Sequence, residues 1–94
     1  IDKQNHKRWI EKGNIIVPPV YISESAQIEN SVIGPDVSIG DESVIKRSII
    51  KNSIVGMGAQ LTSVIIENSL IGSDANLQGA VHHLNIGDSA EIKL

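Results

Sequence analysis

Large aliphatic residues recur along the chain at steps of five or six positions from Ile22 onward, with one step of nine after Leu77. A helix would need a spacing of about 3.6 residues, so this pattern indicates short strands separated by corners. Three consecutive steps make one repeating unit, as from Ile39 to Val55 and from Val55 to Ile71. The recurring positions, which we predict to point inward, are Ile22, Ile28, Ile33, Ile39, Ile45, Ile50, Val55, Leu61, Ile66, Ile71, Leu77, Ile86 and Ile92.

A small or aliphatic residue stands two places before each of these positions. Residues two apart in a strand point to the same side, so each strand offers the interior one small and one large side chain. These positions, none of them charged, are Val20, Ala26, Ser31, Val37, Ser43, Ser48, Ser53, Ala59, Val64, Ser69, Ala75, Leu84 and Ala90. The two sets together predict a three-sided coil whose parallel strands stack from one coil to the next.

Turn-forming residues occupy the predicted corners. Gly-Pro-Asp stands at 34–36, Gly-Asp-Glu at 40–42 and Gly-Met-Gly at 56–58, while Asn30, Asn52 and Asn68 follow other strands. Glycine and asparagine tolerate the left-handed backbone that sharp corners need. We therefore interpret Gly56-Met57-Gly58 as a corner and not as a phosphate loop.

Two stretches, at 39–44 and 71–76, resemble the hexapeptide repeat (aliphatic-Gly-x-x-small-x) of left-handed parallel β-helix proteins. Parallel crossovers in general prefer the right-handed connection, so the left hand follows from this resemblance alone. It implies an all-β fold, a left-handed parallel β-helix of about four to five coils with a short N-terminal helical segment.

The first residues differ from the repeat region. Residues 1–14 carry a local charge of +2 and the remainder −5. The spacing of Ile1, Asn5 and Trp9 predicts a helix over about 2–12, and we expect Trp9 to pack that helix against the rest of the protein. Prolines at 18 and 19 then favour extended chain. We divide the chain into a helix and linker at 1–19 and a β-helix at 20–94.

A closer resemblance comes from the stretches 29–41, 67–72 and 84–92. They are similar to the C-terminal β-helix of long-form glucose-1-phosphate thymidylyltransferases. The resemblance implies an oligomerisation and regulatory domain of a sugar-1-phosphate nucleotidyltransferase, itself non-catalytic, working beside an N-terminal catalytic domain that holds Mg²⁺. The glycine-rich G-x-G-T-R-L motif of that domain does not occur in this sequence, so we assign no catalytic residue, cofactor or metal to it.

Residues one place before the inward aliphatics should point outward, and two predicted faces are apolar there. A continuous outward aliphatic column is unusual in a monomer. We expect a homo-oligomer, a trimer first and a dimer next, with its interface at Val32, Ile49, Ile54, Ile65, Leu70 and Val81. The alternative is that the N-terminal helix folds over one of these faces.

His82 and His83 are the candidates for catalysis in this chain. Histidine titrates near pH 6.5, which suits a general base. Acyltransferases that share the repeat use a histidine near the subunit interface with acetyl-CoA, so a hexapeptide-repeat acyltransferase is the alternative function. A surface loop is the competing interpretation of this pair. Zinc would need three converging ligands, which His6 and two adjacent histidines do not supply.

Composition excludes several classes. With 94 residues the chain forms one domain, and without cysteine it has no disulfide or thiolate metal site. A net charge of −3 and 2% aromatic residues argue against a nucleic-acid partner. Aliphatic runs such as that at 15–17 are no longer than three residues, too short to cross a membrane, and we expect a cytoplasmic location. Lys46, Arg47 and Lys51 form the only basic cluster of the repeat region, either an anion site or solvated corners.

Overall fold

The computed structural model describes residues 7–79, 85–86 and 91–93, which form a left-handed parallel β-helix preceded by one short helix. The helix α1 spans Lys7–Ile10. The strands are β1 Ile15–Ile16, β2 Val20–Ile22, β3 Gln27–Glu29, β4 Val32–Ile33, β5 Val37–Ile39, β6 Val44–Lys46, β7 Ile49–Lys51, β8 Ser53–Val55, β9 Gln60–Thr62, β10 Ile65–Glu67, β11 Leu70–Ile71, β12 Asn76–Gln78, β13 Asn85–Ile86 and β14 Glu91–Lys93.

Each coil gives one strand to each of three parallel sheets. Sheet A has the order β1-β4-β7-β10, sheet B β2-β5-β8-β11-β13 and sheet C β3-β6-β9-β12-β14. Equivalent residues of successive coils pair in register, as Ile28 pairs with Ile45, Ile45 with Leu61, and Leu61 with Leu77. The predicted three-sided coil is therefore confirmed, and it has about four turns.

The interior is the predicted stack of branched aliphatic side chains. Every predicted large inward residue from Ile22 to Leu77 is buried, and so are the small partners except the half-buried Val20. In the part of the chain whose side chains are described, no buried side-chain nitrogen or oxygen atom lacks a hydrogen-bond partner. The core thus contains serines without leaving polar groups unsatisfied, which would be costly in an apolar interior.

The corners adopt the left-handed backbone, as their residue types predict. Asn30, Asn52 and Asn68 have φ values of 50°, 48° and 55°. Arg47 and Ser63 also have positive φ values, 50° and 56°, although neither residue type favours this conformation. Both occupy the corner that follows sheet C, in the coils after Asn30, so the stacking of coils imposes the same turn on them.

The N-terminal segment differs from its prediction. Residues 2–6 of the predicted helix lie outside the described residues. The described helix, Lys7–Ile10, ends before residue 12 because the N–H groups of Lys12 and Gly13 bond to the carbonyls of Trp9 and Ile10 as turns do. Gly13 has a φ of 86°, which turns the chain away. Strand β1, inside the segment that we assigned to helix and linker, already pairs with β4 in sheet A.

Candidate functional site

Sheet A carries an aliphatic column on its outer side. Ile15, Val32, Ile49 and Ile65 pair in register along β1, β4, β7 and β10. Ile15 is 59% exposed, Ile49 36% and Ile65 37%, while Val32 is half-buried. Ile15 was missed in the sequence because the prolines that follow it suggested a linker. The column, which we call the sheet A column, therefore begins one coil earlier than predicted, and its predicted last member, Val81, lies outside the described residues.

Sheet B carries a second apolar patch on its outer side. Tyr21, Ser38, Ile54 and Leu70 pair in register, and Ile54 and Leu70 are 53% and 55% exposed. The predicted residues Ile54 and Leu70 thus lie side by side on one face. Tyr21, 58% exposed, lies at the N-terminal end of the same row.

Sheet C differs from both. The outward positions that pair along it are Gln27, Val44, Gln60 and Asn76, which are polar apart from one valine. Two adjoining faces are therefore apolar and the third is polar, as the sequence predicted. Such an asymmetry is typical of a surface that meets another protein.

The N-terminal helix packs elsewhere. The Trp9 side chain is 3% exposed and belongs to the hydrophobic core. Asn14 fixes this position, since its Nδ2 donates to the carbonyls of Trp9 at 2.6 Å and Ile28 at 2.8 Å, and its Oδ1 accepts from the Ser31 N–H at 2.9 Å. The helix closes the N-terminal end of the core in this way. Ile49 and Ile65 remain exposed, so the described helix at Lys7–Ile10 leaves these two positions of the sheet A column uncovered.

A groove runs beside the corner between sheets A and B. We call this corner, formed by Asp36, Asn52 and Asn68 in successive coils, the A–B corner. With Ser38, Ile54 and Leu70 these residues line an open groove of about 540 Å³. The Nδ2 of Asn52 donates to the Oδ1 of Asn68 at 2.5 Å, so the two amides form a ladder along the helix axis.

The predicted basic cluster does not form one site. Lys46 ends β6 in sheet C, whereas Lys51 ends β7 in sheet A. Lys46 pairs in register with Glu29, and Lys51 with Glu67. Arg47 donates from its Nε to the Ser63 hydroxyl at 3.3 Å. The cations are therefore distributed over two corners beside carboxylates, as in solvated surfaces, and do not converge on an anion.

Three of the predicted site residues, Val81, His82 and His83, lie outside the described residues. Within the described ranges, no group of three or more His, Cys, Asp or Glu side chains is placed to hold a metal ion. The same ranges hold no helix with the length and apolarity that crossing a membrane requires. Gly56-Met57-Gly58 forms the corner between β8 and β9, as expected for a turn.

Comparison with known proteins agrees with the fold. The chain is similar to a mutant of GDP-perosamine N-acetyl transferase from Caulobacter crescentus in complex with CoA and GDP-perosamine, at 18% identity and a TM-score of 0.52, over 86% of this chain and 53% of that one. It also resembles the acetyltransferase domain of PglB from Neisseria gonorrhoeae in complex with acetyl coenzyme A, at 19% identity and a TM-score of 0.41, over 88% of this chain and 55% of that one.

The chain spans about half the length of these structures. No curated protein matches it. The family model described as GlmU-like, C-terminal hexapeptide matches residues 10–71, from the end of α1 to the end of β11. The chain therefore belongs to the GlmU-like C-terminal hexapeptide family.

Proposed function

We propose that this β-helix is an assembly domain, which holds copies of its chain together through the outer sides of sheets A and B. The observation that carries the proposal is the sheet A column, an in-register row of aliphatic residues exposed on a flat face beside the exposed Ile54 and Leu70. A free-standing monomer would present this patch to water.

Burial gives the energetic reason. Fully burying an aliphatic side chain contributes roughly 1.5–3 kcal/mol relative to leaving it exposed. The outward residues of the two faces are between about one third and three fifths exposed, so covering each contributes roughly 1 kcal/mol. Several such residues together, on a rigid face, offset the entropy lost on association. We expect the assembly to be a trimer.

The parent protein is the second part of the proposal. Residues 29–41 and 67–72 resemble the tail of a long-form glucose-1-phosphate thymidylyltransferase, so we propose a cytoplasmic sugar-1-phosphate nucleotidyltransferase whose catalytic domain precedes this one and binds Mg²⁺. The upstream reading frame tests this part. A segment with a G-x-G-T-R-L motif supports it, and an upstream region with no such domain contradicts it.

Paired substitutions test the assembly. Ile49→Lys with Ile65→Lys places two charges in the sheet A column, where desolvating them opposes contact between copies. We expect this variant to sediment with the mass of a single chain, 10.1 kDa, while the parent chain sediments as an oligomer. Sedimentation equilibrium measures both, and circular dichroism checks that the coils remain folded.

The matched control carries the same charges on the polar face. Gln27→Lys with Gln60→Lys alters sheet C, which we place outside the interface, and this variant should remain an oligomer. If the sheet A variant keeps the mass of the parent chain, or if the sheet C variant dissociates equally, the sheet A column is not the interface.

Acyl transfer from acetyl-CoA, with His82 or His83 as the general base, is the second candidate. The observation that favours it is the CoA bound in the similar Caulobacter structure, together with the histidine pair in this sequence. Titration calorimetry with coenzyme A tests it. Two results together would support it. Coenzyme A should bind with a saturable heat both to the parent chain and to the variant that carries His82→Ala and His83→Ala, and only the parent chain should transfer acetyl groups. No heat at millimolar ligand would exclude it for this chain.

A further inference from the structure

We infer that the A–B corner lies at the rotation axis of the assembly, where Asn52 and Asn68 hydrogen-bond to the same residues of neighbouring copies. The inference rests on the proposed assembly function and deepens it, because it names the residues that fix how the copies align.

The position of the A–B corner in the assembly follows from the two sheets that it joins. Residues 34–36 lead from β4 to β5, Asn52 leads from β7 to β8, and Asn68 leads from β10 to β11, so each joins sheet A to sheet B. In a closed ring every copy contacts two neighbours through two different faces. If these faces are the two apolar sheets, the edge that they share is the edge nearest the axis.

The chemistry of the corner suits such a place. A residue at a rotation axis meets its own copies, so it must be able to bond to itself. An asparagine amide has both a donor and an acceptor, whereas carboxylates or ammonium groups of one kind repel one another. Asn52 and Asn68 are exposed, and their mutual bond uses the Nδ2 of Asn52 and the Oδ1 of Asn68. Among the described contacts, the Oδ1 of Asn52 and the Nδ2 of Asn68 remain for a neighbouring copy.

The two asparagines also distinguish one register between copies from another, which the sheet A column does not do. The sheet A column repeats with every coil, so a slip of one coil, about 4.8 Å, replaces one aliphatic contact with another. The corner does not repeat in this way, because the coil before Asn52 has Asp36 there. In register, Asn52 and Asn68 each meet their own copies, which makes two amide pairs, whereas a slip of one coil leaves only the pair of Asn52 with Asn68. The slip also separates the Asp36 carboxylates, which therefore oppose the register that the amides favour. A single polar residue in an apolar interface fixes register in coiled coils for the same reason.

An isosteric charge tests the inference. Asn52→Asp keeps the shape of the side chain but brings like charges together at the axis, and we expect it to weaken association by roughly tenfold or more. High salt should restore part of the loss. The control is Asn30→Asp, an exposed asparagine with the same left-handed backbone at the corner between sheets C and A, which should change association by less than about twofold.

A third variant changes association in the opposite direction. Asp36→Asn removes the one carboxylate of the corner and extends the amide ladder by one coil, so we expect tighter association. Because misfolded chains can aggregate, the gain counts only if the variant keeps the β-sheet spectrum and its mass does not rise beyond that of the parent assembly. Sedimentation velocity over a dilution series measures all three variants.

These outcomes distinguish a failure of the inference about the A–B corner from a failure of the proposed assembly function. If the parent chain associates and the sheet A variant dissociates, but Asn52→Asp behaves like Asn30→Asp, the corner is not at the axis and the assembly function still holds. The same conclusion follows if Asp36→Asn weakens association. If the parent chain is a monomer, the assembly function itself is wrong.

Discussion

Ser48 illustrates how single polar residues stabilise this aliphatic core. Its hydroxyl donates to the Lys46 carbonyl at 2.9 Å and accepts the Val64 N–H from the next coil at 3.2 Å. Ser31 does the same one coil earlier, donating to the Glu29 carbonyl and accepting the Ser48 N–H. Where a corner leaves a backbone N–H without a carbonyl, the serine oxygen takes its place. Ser31 and Ser48 therefore continue the hydrogen bonding between coils and are also small enough to pack inside the core.

Removing one such hydroxyl should destabilise the fold. Ser48→Ala leaves the buried Val64 N–H without its acceptor, and we expect the free energy of unfolding to fall by about 1–3 kcal/mol. Urea denaturation followed by circular dichroism measures the change. The control is Ser38→Ala on the outer side of sheet B, which should shift the midpoint little. Equal effects from the two variants would contradict the role given to Ser48.

At the scale of strands and corners, glycine allows successive coils to approach closely. A Cβ on Gly40 would lie 2.9 Å from both the Gly56 carbonyl carbon and the Met57 nitrogen. A Cβ on Gly56 would lie 2.7 Å from the Ser73 nitrogen in the following coil. Because the neighbouring atoms belong to the backbone, they cannot move aside without opening the coils. The column of Ile-Gly and Val-Gly pairs in the sequence therefore reflects contact between backbones.

Adding a methyl group at this corner tests that contact. Gly56→Ala forces β8 and β11 apart, and we expect it to lower the free energy of unfolding by about 1–3 kcal/mol. Met57→Ala, at the neighbouring exposed residue, is the control and should have little effect. Thermal unfolding of both variants gives the comparison, and a Gly56→Ala protein as stable as the parent would show that the coils tolerate a Cβ there.

Local sequence signals explain which elements were predictable. The strands from β2 to β12 were predictable from two features of the sequence. These are the period of the large aliphatic residues and the small residue two places before each of them. Strand β1 was missed because the prolines that follow it suggested a linker and not a further coil. The left-handed turns at Arg47 and Ser63 were also missed, since neither side chain favours that backbone and only the register with Asn30 imposes it.

At the scale of the whole molecule, the period of the sequence was sufficient to predict the three-sided coil and its apolar faces, whereas the left hand and the hexapeptide repeat family followed from resemblance. The rule that residues one place before an inward position point outward placed Val32, Ile49, Ile54, Ile65 and Leu70 on two adjoining sheets. The significance of the A–B corner could not be predicted in the same way. It depends on the hydrogen bond between the Asn52 and Asn68 side chains of successive coils, which the period of the sequence does not show.

The mass of the unmodified chain in solution tests the assembly most directly. We expect a closed oligomer, a trimer of the 10.1 kDa chain, at micromolar concentration by sedimentation equilibrium. We also expect the assembly to dissociate on dilution without loss of the β-sheet spectrum. A folded species that keeps the mass of a single chain across the whole concentration range would contradict it.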